Sequence, residues 1–126
     1  MSTINVSNIT DGTDTVGTSY VVNGSAKAWI NFNAIGTTAI LESFSVSSLI
    51  DNSAGNFDFG LSSAMSNANY AGVCGQFESN DNSSIVVVAL HTTNCTASNV
   101  RVLVNTSTAG AFDAPFNSVS LLGDLA

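Results

Sequence analysis

Apolar side chains recur at every second position through most of this chain, and that period constrains its fold more than any other feature. Ala26, Ala28, Ile30 and Phe32 alternate with Lys27, Trp29, Asn31 and Asn33. Phe57, Phe59 and Leu61 alternate with Asp58 and Gly60, and Val100, Val102 and Val104 with Arg101, Leu103 and Asn105. Phe44 and Val46 flank Ser45 in the same rhythm. A period of two sends successive side chains to opposite faces of a strand, so each segment reads as a strand with one buried face. Ile85 to Leu90 is a continuous apolar run, which predicts a strand covered on both faces, by a second sheet or a neighbouring subunit. Tyr70 to Phe77 and Phe116 to Leu122 are further strands. Tyr20 to Val22 is a short one ending in the turn signal Asn23-Gly24.

Polar loops punctuate these runs at 51–56, 78–84 and 91–99. Residues 62–68 are the one segment with helical character, too short and Ser-rich to stand as a helix. The pattern predicts an all-β protein, an antiparallel β-sandwich of jelly-roll style. It forms a single domain over 19–126. The Thr-, Asp- and Gly-rich residues 1–18 precede it as an extended N-terminal arm.

Composition then narrows the function. Lys27 and Arg101 are the only basic residues against nine acids, for a net charge of −7. Two cations cannot neutralise a phosphate backbone or an anionic membrane, so nucleic-acid binding is excluded. One His and two Cys offer little for metal chemistry. His91 ends the apolar run as a strand-end residue, and no Gly-x-Ser-x-Gly elbow supplies a nucleophile. Asp51, Asp81, Asp113 and Asp124 sit in turn contexts, where Asp bonds to backbone, and no calcium-loop spacing links them. No catalytic residue, metal or cofactor is expected. Residues 1–6 lack a basic start and an apolar run, which predicts folding in a cytoplasm. Cys74 and Cys95 then read first as small buried side chains, and second as a disulfide formed after release. Asn, Ser and Thr fill 46 of 126 positions, enough for the six Asn-x-Ser/Thr matches to arise by chance. Such neutral surfaces suit packing between subunits or binding of neutral polar ligands such as carbohydrate. Trp29, on the polar face of its strand, fits packing under a neighbour first and ligand stacking second.

The block Asn23-Gly24-Ser25-Ala26-Lys27-Ala28-Trp29-Ile30-Asn31-Phe32 resembles the NG-x-AKAW-[IV]-NF segment of small tail-fibre-like virion proteins of tailed phages, notably those of marine bacteria. Ser43 to Asn52 is similar to the SFNVSS-[IL]-x-DN segment that follows it. Gly55-Asn56-Phe57 and Ala64 to Tyr70 are similar to the continuation, and Ser2 to Val6 to a short first strand. Family members commonly carry Tyr-Thr-Val-Asn-Phe where this chain has Phe57-Asp58-Phe59-Gly60-Leu61, and residues 71–126 match in style alone.

The resemblance implies a non-enzymatic structural protein on a virion surface, made in the host cytoplasm. It implies a tail fibre or appendage protein that contributes to host-surface recognition; a capsid decoration protein is the alternative. The implied partners are two further copies in a homotrimer, other virion proteins of the tail, neck or capsid, and a host cell-surface glycan or protein. Contact with the host is expected from the polar loops, through Asn80, Asp81, Asn82 and Asn94.

Overall fold

The computed structural model describes residues 2–77, 86–91, 93–106 and 110–126. Two strands, β1 (Asn8–Thr10) and β2 (Thr15–Gly17), form a hairpin, followed by the helix α1 (Thr18–Gly24). The hairpin turn is built by Asp11, whose Oδ1 accepts from the amides of Thr13 and Asp14 at 3.0 and 2.9 Å. These two bonds hold the Asp11 carboxyl below the usual carboxylate range. The N-terminal segment is therefore a folded hairpin and helix rather than an extended arm.

The short strand expected at Tyr20 to Val22 is also a turn of this helix. A strand needs a neighbour to satisfy its backbone, and residues 18–24 pair with no sheet. Local helical bonds are the remaining solution, despite the low helix propensity of Val21 and Val22. The side chain of Lys27 folds back over the helix end. Its Nζ donates to the Val22 carbonyl and, at 3.0 Å, to that of Ser25.

The body consists of β3 (Ala26–Asn33), β4 (Ala39–Phe44), β5 (Val46–Ser53), β6 (Asn56–Leu61), β7 (Ala71–Phe77), β8 (Val86–Leu90), β9 (Asn99–Thr106), β10 (Gly110–Ala111) and β11 (Phe116–Leu122). All pairings are antiparallel. The first sheet runs β4-β3-β11-β7. In the second, β5 pairs with β6 and β6 with β9. β6 and β8 both pair with Val102 and Leu103, so they take opposite edges of β9. β10 extends the β9 pairing at Asn105 and Thr106. The all-β, antiparallel fold read from the alternation is the one observed.

The inward residues of both sheets form one core. Ala28, Ile30, Phe32, Val119 and Leu121 come from the first sheet, and Phe57, Phe59, Val100, Val102 and Val104 from the second. Phe32 and Phe57 meet between the sheets with ring centroids 5.2 Å apart. Each Val, Leu, Ile and Phe among these side chains contributes roughly 1.5–3 kcal/mol on full burial.

Two local expectations change, and one holds. Phe44 and Val46 do not share a strand. Ser45 adopts φ 57° between them, which breaks the extended backbone and passes the chain from β4 in the first sheet to β5 in the second. Of the 85–90 run, the described residues Val86–Leu90 form an edge strand, paired among the described residues with β9 alone. Val88 and Leu90 pack on the core while Val87 stays 51% exposed, so one face is open rather than covered. Residues 62–68 are irregular because their backbone bonds go elsewhere. Met65 N donates to Ala97 O at 2.8 Å and Ser66 N to Asp124 O at 2.8 Å.

Candidate functional site

The two ends of the body differ. At the near end, β3 begins at Ala26 and β7 at Ala71, both beside Leu122. The hairpin and helix join the body here. At the far end, β7 finishes at Phe77 beside Phe116, and β8 begins at Val86 beside Thr106.

The described residues of loop 91–99 belong to the near end, and several of their hydrogen bonds are made within the fold. Thr96 N donates to Asn99 O at 2.8 Å, Thr96 Oγ1 accepts from Asn99 N at 3.0 Å, and the Thr96 carbonyl accepts from Tyr70 Oη at 3.2 Å. Leu61 N donates to Ser98 O at 2.9 Å. Cys95 Sγ donates to Arg101 O at 3.6 Å. Burial, with a hydrogen bond to Cys95, pushes the Tyr70 hydroxyl above its ordinary range, and burial raises the Cys74 thiol. Cys74 and Cys95 are both free, half-buried and packed on the core, as small apolar side chains would be. The His91 ring has Thr93 Oγ1 at 3.1 Å from Nδ1.

Asn94 is exposed, its Oδ1 accepting from Thr93 Oγ1 at 3.1 Å. Asn80, Asp81 and Asn82 lie outside the described residues. The segment that carries them joins β7 to the far-end start of β8, whereas Asn94 follows the opposite end of that strand. The two expected loops thus join the two ends of β8, whose terminal residues lie roughly 13 Å apart.

An ion pair lies on the outer face of the second sheet. Arg101 grips Asp58 with two bonds, Nε to Oδ1 at 2.7 Å and Nη2 to Oδ2 at 2.6 Å. The two residues are direct cross-strand partners on β9 and β6. The guanidinium holds the Asp58 carboxyl below its ordinary range, and the side chains of Asn52 and Asn99 add to the effect. Asp113, read as a turn residue, reaches across the fold instead and accepts the Gly55 amide, 58 positions away, at 2.8 Å.

Two apolar surfaces escaped the sequence reading. The first is a groove of about 410 Å³ in the N-terminal hairpin and helix, lined by Ile4, Val6, Ile9, Val21 and Val22. Ile4 is 86% exposed, and the adjacent Tyr20 74%. The signal was present, since seven large apolar residues fall within 4–22, but no period marked them as one face. The second is the outer face of the first sheet. Cross-strand partners share a face, so the pairings line up Phe44, Trp29, Ser120 and Val73 in one outward row, with Phe44 57% and Val73 62% exposed. The sequence reading assigned Trp29 first to packing under a neighbouring strand or across a subunit interface; among the described residues this face carries no covering strand.

Compared with family models, curated proteins and solved structures, the chain matches none. Among the described residues, no helix is long and apolar enough to cross a membrane.

Proposed function

We propose that this chain is a non-enzymatic structural protein of a tailed-phage virion surface, a tail fibre or appendage protein that self-associates and contributes to host-surface recognition. The observation that carries this reading is the split between a body with a closed core and an N-terminal hairpin and helix whose apolar side chains are open. A seven-residue helix and a two-stranded hairpin are marginal in isolation. Ile4, Val6, Ile9, Val21 and Val22 need a cover, and two more copies of the same groove in a homotrimer supply one. The resemblance of residues 23–70 to tail-fibre-like proteins supports the same assignment. With assembly at the near end, the segment carrying Asn80, Asp81 and Asn82 joins strands at the far end, where a host surface is met. The inward bonding of loop 91–99 suits a bracing role for Asn94 and its neighbours.

The test is a mass measurement in dilute buffer, paired with adsorption competition. The full chain is expected to be a trimer that blocks phage adsorption to host cells. Ile9→Asp with Val22→Asp should yield a folded monomer, because a carboxylate in an apolar contact is strongly unfavourable. A wild-type monomer at micromolar concentration, or an unchanged trimer in the double variant, would overturn the assembly site. Binding to phage heads rather than to cells would favour the capsid decoration alternative.

A further inference from the structure

We propose that the outer face of the sheet β4-β3-β11-β7 is a binding platform for a neutral oligosaccharide, with Trp29 and Phe116 as its stacking residues. The proposal deepens the host-recognition reading by naming a ligand class and a face for it.

The geometry follows from the register. Trp29 stands beside Phe44 on β4 and Ser120 on β11. The next outward row is Glu42, Asn31, Ser118 and Gly75. Phe116 lies on the same face of β11, four residues from Ser120, and so roughly 13 Å along the strand from the Trp29 row. Between them is a cleft of about 240 Å³ lined by Asn31, Leu41, Glu42, Phe116 and Asn117. A β-bulge forms it. Ile40 and Glu42 pair with Phe32 and Asn31, which leaves Leu41 as the extra residue of β4 and turns its side chain to the cleft.

The chemistry of this face matches a sugar better than a protein. A pyranose ring presents apolar C–H faces and hydroxyl edges in alternation. Here aromatic rings alternate with hydrogen-bonding groups in the same way. Asn31 supplies both a donor and an acceptor, Glu42 accepts, and Ser120 does either. All three side chains are uncommitted to other described groups, whereas Asn33 beside them is consumed by a turn with Ile35. Gly75 and the two serines keep the centre low and flat. A second copy of the chain would favour an unbroken apolar patch, and the polar row through Asn31 and Ser118 interrupts one.

Charge decides the ligand class. Glu42 is the one free ionisable group on this face among the described residues. Lys27 is turned away onto the carbonyls of Val22 and Ser25. With a net charge of −7 and no cation to receive a carboxylate, sulfate or phosphate, the platform selects neutral glycans over anionic ones.

Trp29 is the single Trp of the chain, so its fluorescence reports on this face alone. The full-length protein is titrated with neutral hexasaccharides (glucan, mannan and galactan series) and with a polyuronate of matched length. The expected result is a saturable change in emission with at least one neutral series and none with the polyuronate. Calorimetry should then show binding weakened by about tenfold or more in Trp29→Ala and in Phe116→Ala. Trp29→Phe should retain most of it, and all variants should keep the wild-type circular dichroism spectrum.

The proposal is overturned if no neutral series binds more tightly than about 10 mM, or if the polyuronate binds equally well. It is also overturned if Trp29→Ala binds like wild type, or if the same variant dissociates the trimer and so marks the face as a contact between copies. Titration with sugar alone requires no virion. Failure here, with adsorption competition intact, leaves the host-recognition reading standing with a different ligand.

Discussion

Gly55 occupies the tightest backbone position in the body, and replacing it measures how closely the two hairpins are nested. Its φ of 65° is in the left-handed region. A Cβ added there would lie 2.3 Å from the Val104 carbonyl oxygen and 2.6 Å from the Phe112 amide nitrogen. Both are backbone atoms, so neither can swing aside. Gly55→Ala should therefore carry two costs. The left-handed conformation costs an alanine about 1–2 kcal/mol. Relief of the clash moves the 104 and 112 strand ends apart from the turn by about an ångström. That strains the bonds from Val104 N to Gly55 O at 2.8 Å and from Phe112 N to Val104 O at 3.0 Å, worth about 1 kcal/mol each. The total is about 3–4 kcal/mol.

Gly36→Ala is the internal control. Its φ is 71°, but nothing lies within 4 Å of the added Cβ, so only the conformational cost of about 1–2 kcal/mol applies. Both substitutions restrict the unfolded chain equally, so that effect cancels in the comparison. Urea unfolding at equilibrium gives each difference from its midpoint and slope. Equal destabilisation by the two substitutions would refute the close approach of Gly55 to β9 and Phe112.

Other outcomes follow from the same structure. Phe57→Ala removes a fully buried ring tilted against Phe32 and should destabilise by about 3–5 kcal/mol in urea. The Asp58 carboxyl is held below its ordinary pKa, so its pairing with Arg101 stabilises the fold above the carboxylate range and is lost as pH falls through its folded value. Arg101→Met should accordingly be less stable than wild type at about pH 7, and the gap should narrow towards about pH 2 in urea titrations. Val87→Asp falls on the open face of an edge strand, so stability should change by no more than about 0.5 kcal/mol. On the proposed assembly its trimer mass should persist, because the proposed association surface is the groove at residues 4–22.

The strands were legible because most bury one face, and burial on one face is what alternation encodes. Ile30, Phe59 and Val102 follow from period two alone. What failed were places where a single backbone angle or a missing neighbour overrides the pattern. Ser45 continues the alternation in sequence while its left-handed backbone moves the chain to the other sheet. Tyr20 to Val22 have strand residues but no strand beside them. Val87 lies in a run that reads as doubly buried, yet its strand ends the sheet. For the site, the residue types were visible and their arrangement was not. Trp29 was recognisable as outward-facing. Its alignment with Phe44 across β4, and with Phe116 down β11, depends on register and on the bulge at Leu41, neither of which a single sequence specifies. Asn94 was read as a free loop residue. The bonds that tie its loop to Tyr70, Met65 and Leu61 join segments distant in sequence.

Where the protein sits on a particle tests the central claim most directly. On the proposed assignment the gene belongs to a phage, and immunogold labelling of that phage's purified particles, with antibodies raised against the folded chain, locates the protein by electron microscopy. A tail fibre or appendage protein predicts gold at the tail or its fibres, and antibody fragments from the same serum should block adsorption to host cells. Label spread uniformly over the head, or particles without label, would contradict the assignment.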